Sequence, residues 1–332
     1  MWNASDSLPV QGRTMRRRPS KLMIGKAVSM TALVTMAVVT VGCEARVYGT
    51  PPAPLGAPQL TVVAPQGSMA PLPEASPGEP AASFTGLEDR AQQATEDAAD
   101  AGADITVLVL DRNTGQLVSN GNDTTIAIAS VVKLFIADDL LLQEAKRQTV
   151  LSPEDRQNLD VMLRSSDDSA AEVFWNRSGG SAIVDRVAAR YGLSSTRRPN
   201  DGRWWNTIST AADLVRYYDM LMNGSGGLPA EQANVILSNL AQSTPNAIDG
   251  TQPGGIYPQR FGIPDGLYAE PVAVKQGWMC CIGSDWMHLS TGVVGPDRRF
   301  IMVIGSLQPT NSATARDTIT DAVKTMFPGG RI

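Results

Sequence analysis

The sequence predicts an α+β fold, with an antiparallel sheet assembled from both ends of the chain around an all-α insertion. Three observations carry this expectation. Two short β-branched segments, 104–110 and 116–119, flank a cluster of turn residues. Two longer ones, 286–294 and 300–307, lie near the C-terminus. Between the two pairs, from 131 to 241, apolar residues recur at helical spacing.

The 332 residues, 42% of them hydrophobic, can bury a sizeable core and exclude wholesale disorder. A formal net charge of -5 argues against a nucleic-acid partner. The single histidine, His288, excludes His-rich metal sites and leaves any Ser-His-Asp triad to that one residue. Three cysteines, two of them adjacent, cannot build a disulfide framework or an all-cysteine zinc site. No metal or organic cofactor is expected.

At the N-terminus, Arg13, Arg16, Arg17, Arg18, Lys21 and Lys26 precede an apolar run over 27–41. A basic stretch before a short apolar run is the pattern of an export signal, and this run falls short of the roughly 20 residues that span a bilayer. It closes on Thr40-Val41-Gly42-Cys43, which resembles a bacterial lipobox. That resemblance implies cleavage after residue 42 and a diacylglyceryl thioether on Cys43; an uncleaved anchor or an ordinary secretory signal are the alternatives. The segment 1–42 carries a net +5, so its removal takes the chain from -5 to -10. Such a surface does not seek anionic lipid by itself, and acyl chains would hold it to the membrane instead. Nine of the 22 prolines fall within 51–80, a composition that favours extended chain over a packed core. The span 43–83 therefore reads as a tether and 84–332 as the folded body.

Within the body, 87–102 is rich in Ala, Glu and Gln and reads as a helix. The strand at 104–110 turns through 111–115 into the strand at 116–119. A helix is expected over 131–146 with Ser130 at its N-cap, followed by helices at 155–163, 169–175 and 181–191. Thr210 and Asp213 approximate a capping box before a helix over 214–223, and 231–241 is another. The two C-terminal strands join through a Gly-Pro-Asp turn, and a last helix runs over 313–326. This places the α/β part at about 84–128 and 265–332 and the helical part at about 129–264.

The chemistry sits in Ser130-Val131-Val132-Lys133. At i and i+3 on a helix the two side chains share one face, within hydrogen-bond reach. A serine hydroxyl needs a base to become a nucleophile, and a lysine serves if burial lowers its pKa. Lys133 and Lys275 are two of only six lysines beside 22 arginines. Ser166 lies in Ser165-Ser166-Asp167-Asp168-Ser169, and Lys275 in Val274-Lys275-Gln276-Gly277-Trp278.

In this order the three segments resemble the S-x-x-K, S-D-N and K-T-G motifs of class A β-lactamases and penicillin-binding proteins. The resemblance covers roughly 84–332 and is strongest to an actinobacterial, mycobacterial-type lipoprotein branch. It implies a β-lactamase/transpeptidase-like fold. It casts Ser130 as the acylated nucleophile, Lys133 as base or proton relay, and Ser166 as the hydroxyl serving the leaving nitrogen. Lys275 would orient a substrate carboxylate, and Asp168, Gln276, Gly277 and Trp278 would line the substrate site. The backbone N–H groups of Ser130 and Trp278 would form the oxyanion hole. The implied ligand is a β-lactam or a D-alanyl cell-wall peptide, met on the outer face of the cytoplasmic membrane; the sequence names no protein partner.

Three departures stand out. Asp168 replaces an Asn, so a carboxylate that only accepts stands where an amide donates. Gln276 replaces a small hydroxyl and is expected to narrow the carboxylate subsite. The stretch 191–206 lacks the E-x-x-L-N that carries the deacylating glutamate of class A enzymes. These favour an alternative, a catalytically impaired lipoprotein of the same fold that binds cell-wall peptide or protein. Asp168 suits a helix N-cap or a partner for Lys133, and Trp204, Trp205, Trp278 and Trp286 suit core packing or a groove. His288 is expected to be a packed or surface residue. Cys280 and Cys281 are either thiols or a vicinal disulfide.

Overall fold

The computed structural model describes residues 82–249 and 253–332. The expected export signal at 1–42, the expected lipidation site Cys43 and nearly all of the expected tether at 43–83 lie outside the described residues. Helix α1 (Leu87–Asp100) leads into strand β1 (Asp104–Asp111), β2 (Leu117–Ser119) and a two-residue β3 (Ile126–Ala127). A 3₁₀ turn, Ala129–Val132, then enters α2 (Lys133–Ala145), followed by α3 (Pro153–Arg164), α4 (Asp168–Arg177) and α5 (Ala182–Tyr191). Next come β4 (Ile208–Ser209), α6 (Ala211–Asn223), α7 (Ala230–Ala241), β5 (Asn246–Ile248), β6 (Ile256–Pro258) and α8 (Ile263–Gly266). Three long strands, β7 (Val272–Ile282), β8 (Asp285–Val294) and β9 (Phe300–Gln308), precede α9 (Ser312–Met326).

The main sheet is antiparallel in the order β2-β1-β9-β8-β7, so the first strand pairs with the last. Its register runs from Asp104 opposite Leu307 to Asp111 opposite Phe300. The 111–115 turn holds as expected: the Asp111 carboxylate accepts from the backbone of Asn113 at 3.0 Å, and Gly115 takes a φ of 74°. Arg299 clamps the same carboxylate at 2.8 and 2.6 Å.

Both faces of the sheet are covered. Val107, Val109, Met302 and Ile304 pack with Leu87, Ala91, Ile319 and Val323 of α1 and α9. Leu108, Leu289, Ile301 and Val303 pack on the opposite side with Leu134, Tyr217 and Tyr218 of the helical part. Double cover explains why β1 is buried along most of its length instead of alternating.

Helix α2 is the axis of the helical part, with Lys133 through Leu142 buried without a break. A helix apolar all round belongs inside. It nevertheless carries two acids. Asp138 accepts from Arg190, Tyr191 and Tyr217, and Asp139 takes two bonds from Arg186 at 2.8 and 2.7 Å. These ties fasten α2 to α5 and α6, and they satisfy charges that burial would otherwise penalise.

Three expectations need correction. Ser130 is not an N-cap: the chain enters α2 through the 3₁₀ turn, and the Ser130 hydroxyl is turned to Lys133. The insertion is not purely helical, because β4 pairs with β3 and β5 with β6 in two-stranded ribbons. Pieces of two or three residues are too short to carry a period-two pattern. Strand β7, which carries Lys275, is missing from the expected elements, because its near-continuous burial hides the alternation.

Candidate active site

The 3₁₀ turn that carries Ser130 is pinned from both sides. The N–H of Ile128 donates to the Thr207 carbonyl at 2.8 Å. Across from it, edge strand β7 approaches so closely that a Cβ on Gly277 would meet the Ile128 carbonyl oxygen at 2.6 Å. Ala129 adopts a φ of 43° and Ser166 a φ of 55°, left-handed conformations that a side chain disfavours. Strained backbone at the two hydroxyl-bearing loops is the kind that surrounding packing must hold in place.

Lys133 opens α2 at the foot of the site. Its Nζ is 3.0 Å from Ser130 Oγ, 2.7 Å from the Ser166 carbonyl, 3.2 Å from Ser166 Oγ and 2.6 Å from Asp168 Oδ1. Four oxygens surround a group that has three hydrogens at most, so one of these contacts is not donated by the amine. Lys275, on the face of β7 that looks toward the helical part, donates from Nζ to Ser166 Oγ at 2.8 Å and to the Gln276 carbonyl at 3.3 Å. Ser130, Lys133, Ser166 and Lys275 thus form one polar chain contributed by three distant stretches. Ser130 is 6% exposed and the other three are sealed.

Burial lowers the Lys133 pKa, and the attraction of Asp168 opposes the fall without cancelling it. Burial lowers Lys275 still further, with Lys133 adding repulsion. Asp168 moves the other way: burial raises it against the pull of Lys133, and a neighbouring Asp249 adds to the rise.

The two alternatives for Asp168 resolve into one. Asp167 caps α4, accepting from the Ala170 N–H at 2.8 Å, and Asp168 is the partner of Lys133. Gln276 needs correction: strand alternation points it to the α9 face, where Nε2 donates to the Phe261 carbonyl at 2.7 Å. It therefore does not narrow the cleft. Gly277 acts by permitting the close approach of β7 to the turn, not as a lining residue.

A cavity of about 720 Å³ opens above Ser130. Asp168, Glu172 and Val173 form one wall and Trp278, Met279 and Cys280 the other, with Trp204, Trp205 and Trp286 around them. The tryptophans weighed for core or groove all reach this cavity. Cys280 and Cys281 are joined as a vicinal disulfide at its rim. His288 packs on the α9 face beside Phe261 and Tyr257, with Nε2 bonded to Tyr257 Oη at 2.7 Å. Burial, helped by Arg316, holds its pKa down to about 3, so the ring is neutral and takes no part at Ser130.

Two further acids enter the site unannounced. Asp249 is buried, accepts from Trp278 Nε1 at 2.7 Å and shares a hydrogen bond with the Asp168 carboxyl. Glu172 accepts from Trp204 Nε1 at 3.1 Å and from Asn176 Nδ2 at 2.9 Å. Glu172 sits four residues after Asp168 on α4, a helical spacing that was available in advance. A lone acid like Asp249, following a three-residue strand, carries no such signal. Among the described residues no group of three or more His, Cys, Asp or Glu is placed to hold a metal ion.

A protein that carries the provisional name lipoprotein LppW, in Mycobacterium tuberculosis and Mycobacterium bovis, is 60% identical over 326 residues, covering 96% of this chain and 100% of that protein. Among solved structures, PBP-A as an acyl-enzyme complex with penicillin G superposes with a TM-score of 0.59 at 16% identity, over 74% of this chain and 96% of that one. A β-lactamase from Chitinophaga pinensis gives 0.58 at 16% identity, over 72% and 98%. A class A β-lactamase from Mycobacterium abscessus gives 0.54 at 19% identity, over 71% and 97%. These likenesses establish the β-lactamase/transpeptidase-like fold. No protein-family model matches the chain.

Proposed function

We propose, on the premise that this chain belongs to the mycobacterial LppW lipoprotein family and has a β-lactamase-like fold, that it forms an acyl-enzyme on Ser130. One observation carries the reading: Lys133 Nζ stands 3.0 Å from Ser130 Oγ at the head of a buried chain that continues through Ser166 to Lys275. Lys133, as the free amine, takes the proton from Ser130 Oγ while the oxygen attacks an acyl carbonyl carbon. The new C–O bond pushes charge onto the carbonyl oxygen, opposite the N–H groups of Ser130 and Trp278. When the intermediate collapses, the C–N bond breaks and its electron pair leaves with nitrogen. That nitrogen receives the proton through Ser166 Oγ, which Lys275 orients. With no counterpart of the deacylating glutamate in 191–206, water hydrolyses the ester on Ser130 slowly and the acyl-enzyme is long-lived. The substrates this suits are β-lactams and D-alanyl peptides of the cell wall.

The site would act outside the cytoplasmic membrane, held by lipid on Cys43 and a tether. Cys43→Ala is expected to move the protein from the membrane fraction to the soluble one. Among the described residues no helix is long and apolar enough to cross a membrane.

A second reading has its own support. The 2.6 Å contact between Lys133 and Asp168 holds a proton on the amine that should act as base, and favours an impaired, peptide-binding protein. Incubating the purified chain with a fluorescent penicillin separates the two. Covalent label that is lost in Ser130→Ala supports the enzyme; no label at high reagent supports the binding protein.

A further inference from the structure

The pocket above Ser130 has a chemical character of its own. Four tryptophans, Trp204, Trp205, Trp278 and Trp286, reach it, together with three carboxyl groups, Asp168, Glu172 and Asp249. Among the described residues no lysine or arginine lines it. The two lysines behind the nucleophile are already engaged and offer little to an incoming anion. Lys133 already faces Asp168 at 2.6 Å, and Lys275 is sealed behind Ser166, where burial favours its neutral form. Glu172 is bonded to neutral donors, the Trp204 indole and the Asn176 amide.

Basic side chains already stand over two of these rings. Lys133 Nζ sits 4.7 Å from the centre of the Trp204 ring, and the Arg203 guanidinium 5.8 Å from that of Trp205. Indole faces attract cations through their quadrupole, and the Glu172 carboxylate on the wall acts in the same direction. An anionic group entering the cavity meets like charge on the same walls.

We propose that this pocket recognises its acyl donor through an ammonium group carried on the acyl portion. The proposal rests on the reading that the cavity over Ser130 is the substrate site, and it specifies the substrate class: cationic or zwitterionic amides, in preference to purely anionic ones. A volume of about 720 Å³ leaves room for an acyl side chain of several heavy atoms beside the reacting carbonyl.

Two measurements on the purified full chain in non-ionic detergent test it. The first needs no catalysis. Four of the six tryptophans reach the pocket, so intrinsic fluorescence reports occupancy. Choline is expected to give a saturable change, retained in Ser130→Ala and weakened about tenfold in Glu172→Gln. Its uncharged isostere, 3,3-dimethylbutan-1-ol, is expected to bind at least tenfold more weakly. Equal binding of the two would overturn the proposal, because it would make the site merely apolar. The second compares ampicillin with benzylpenicillin, which differ by one ammonium on the acyl side chain, by intact mass over time. Faster acylation by ampicillin supports the proposal, and equal or faster acylation by benzylpenicillin contradicts it. Adducts with neither compound would sink the acyl-enzyme reading, while the choline arm would still decide the pocket's preference.

Discussion

Oδ1 of Asp168 lies 2.6 Å from Nζ of Lys133, nearer than the Ser130 hydroxyl at 3.0 Å. The amine proposed as the base for Ser130 is therefore shared with a carboxylate. The charge on Asp168 favours the protonated amine, whereas burial favours the free one.

Replacing that carboxylate shifts the balance toward the free amine. Asp168→Asn keeps the shape and removes the charge, so the Lys133 pKa falls further and more free base is present at neutral pH. Acylation by ampicillin, followed by quenched-flow mass spectrometry, should rise roughly tenfold, the equivalent of one pKa unit. The gain should shrink as pH rises and wild-type Lys133 itself loses its proton. Unchanged or slower acylation would show that Asp168 does not restrain the base.

Gly277 sets the distance between β7 and the turn bearing Ser130. In Gly277→Ala the new methyl meets backbone, the Ile128 carbonyl at 2.6 Å, and flanking contacts at 3.3 and 3.4 Å leave it no room. The strand or the turn must move, at a cost of about 1–3 kcal/mol. We expect lower thermal stability together with loss of Ser130 labelling. A variant that labels at the wild-type rate would contradict this account of the turn.

Asp138 is the buried anchor of the helical part, bonded by Arg190, Tyr191 and Tyr217. Asp138→Ala leaves a guanidinium and two phenols without their shared acceptor and should cost about 3 kcal/mol in chemical denaturation. A loss under 1 kcal/mol would mean that the cluster contributes little to holding α2 on α5 and α6.

His288 makes stability depend on pH. Its pKa is about 3 when folded, against an ordinary value of 6.5, so the unfolded chain binds the proton more tightly between those values. Stability from this residue is complete above the unfolded value and is lost as pH falls toward the folded one. Between pH 7.5 and 5 the loss is about 2 kcal/mol. As His288 is the only histidine, His288→Gln should lose about 2 kcal/mol less than wild type over that interval. Parallel curves for the two proteins would contradict the assignment.

What was legible in the sequence follows a physical line. The S-x-x-K pair, Ser166 and Lys275 were readable because their chemistry is tied to residue type, and the fold joins them as that reading requires. The α+β architecture was readable from the β-branched segments at the two ends of the chain. Asp249 was not, since only tertiary folding brings it beside Asp168 and Trp278. The side of β7 on which Gln276 falls was hidden as well. A strand covered on both faces lacks the apolar–polar alternation that would reveal its orientation. The start of α2 was misplaced because Ser130, a residue type that favours capping, is instead held by Lys133.

The most direct test of the central claim is peptide mapping after treatment with a fluorophosphonate, which labels activated serines whatever their substrate. The account predicts a single adduct, on the peptide containing Ser130, that disappears in Lys133→Ala. An adduct on Ser166 or another serine, or one on Ser130 that survives the loss of Lys133, would contradict it.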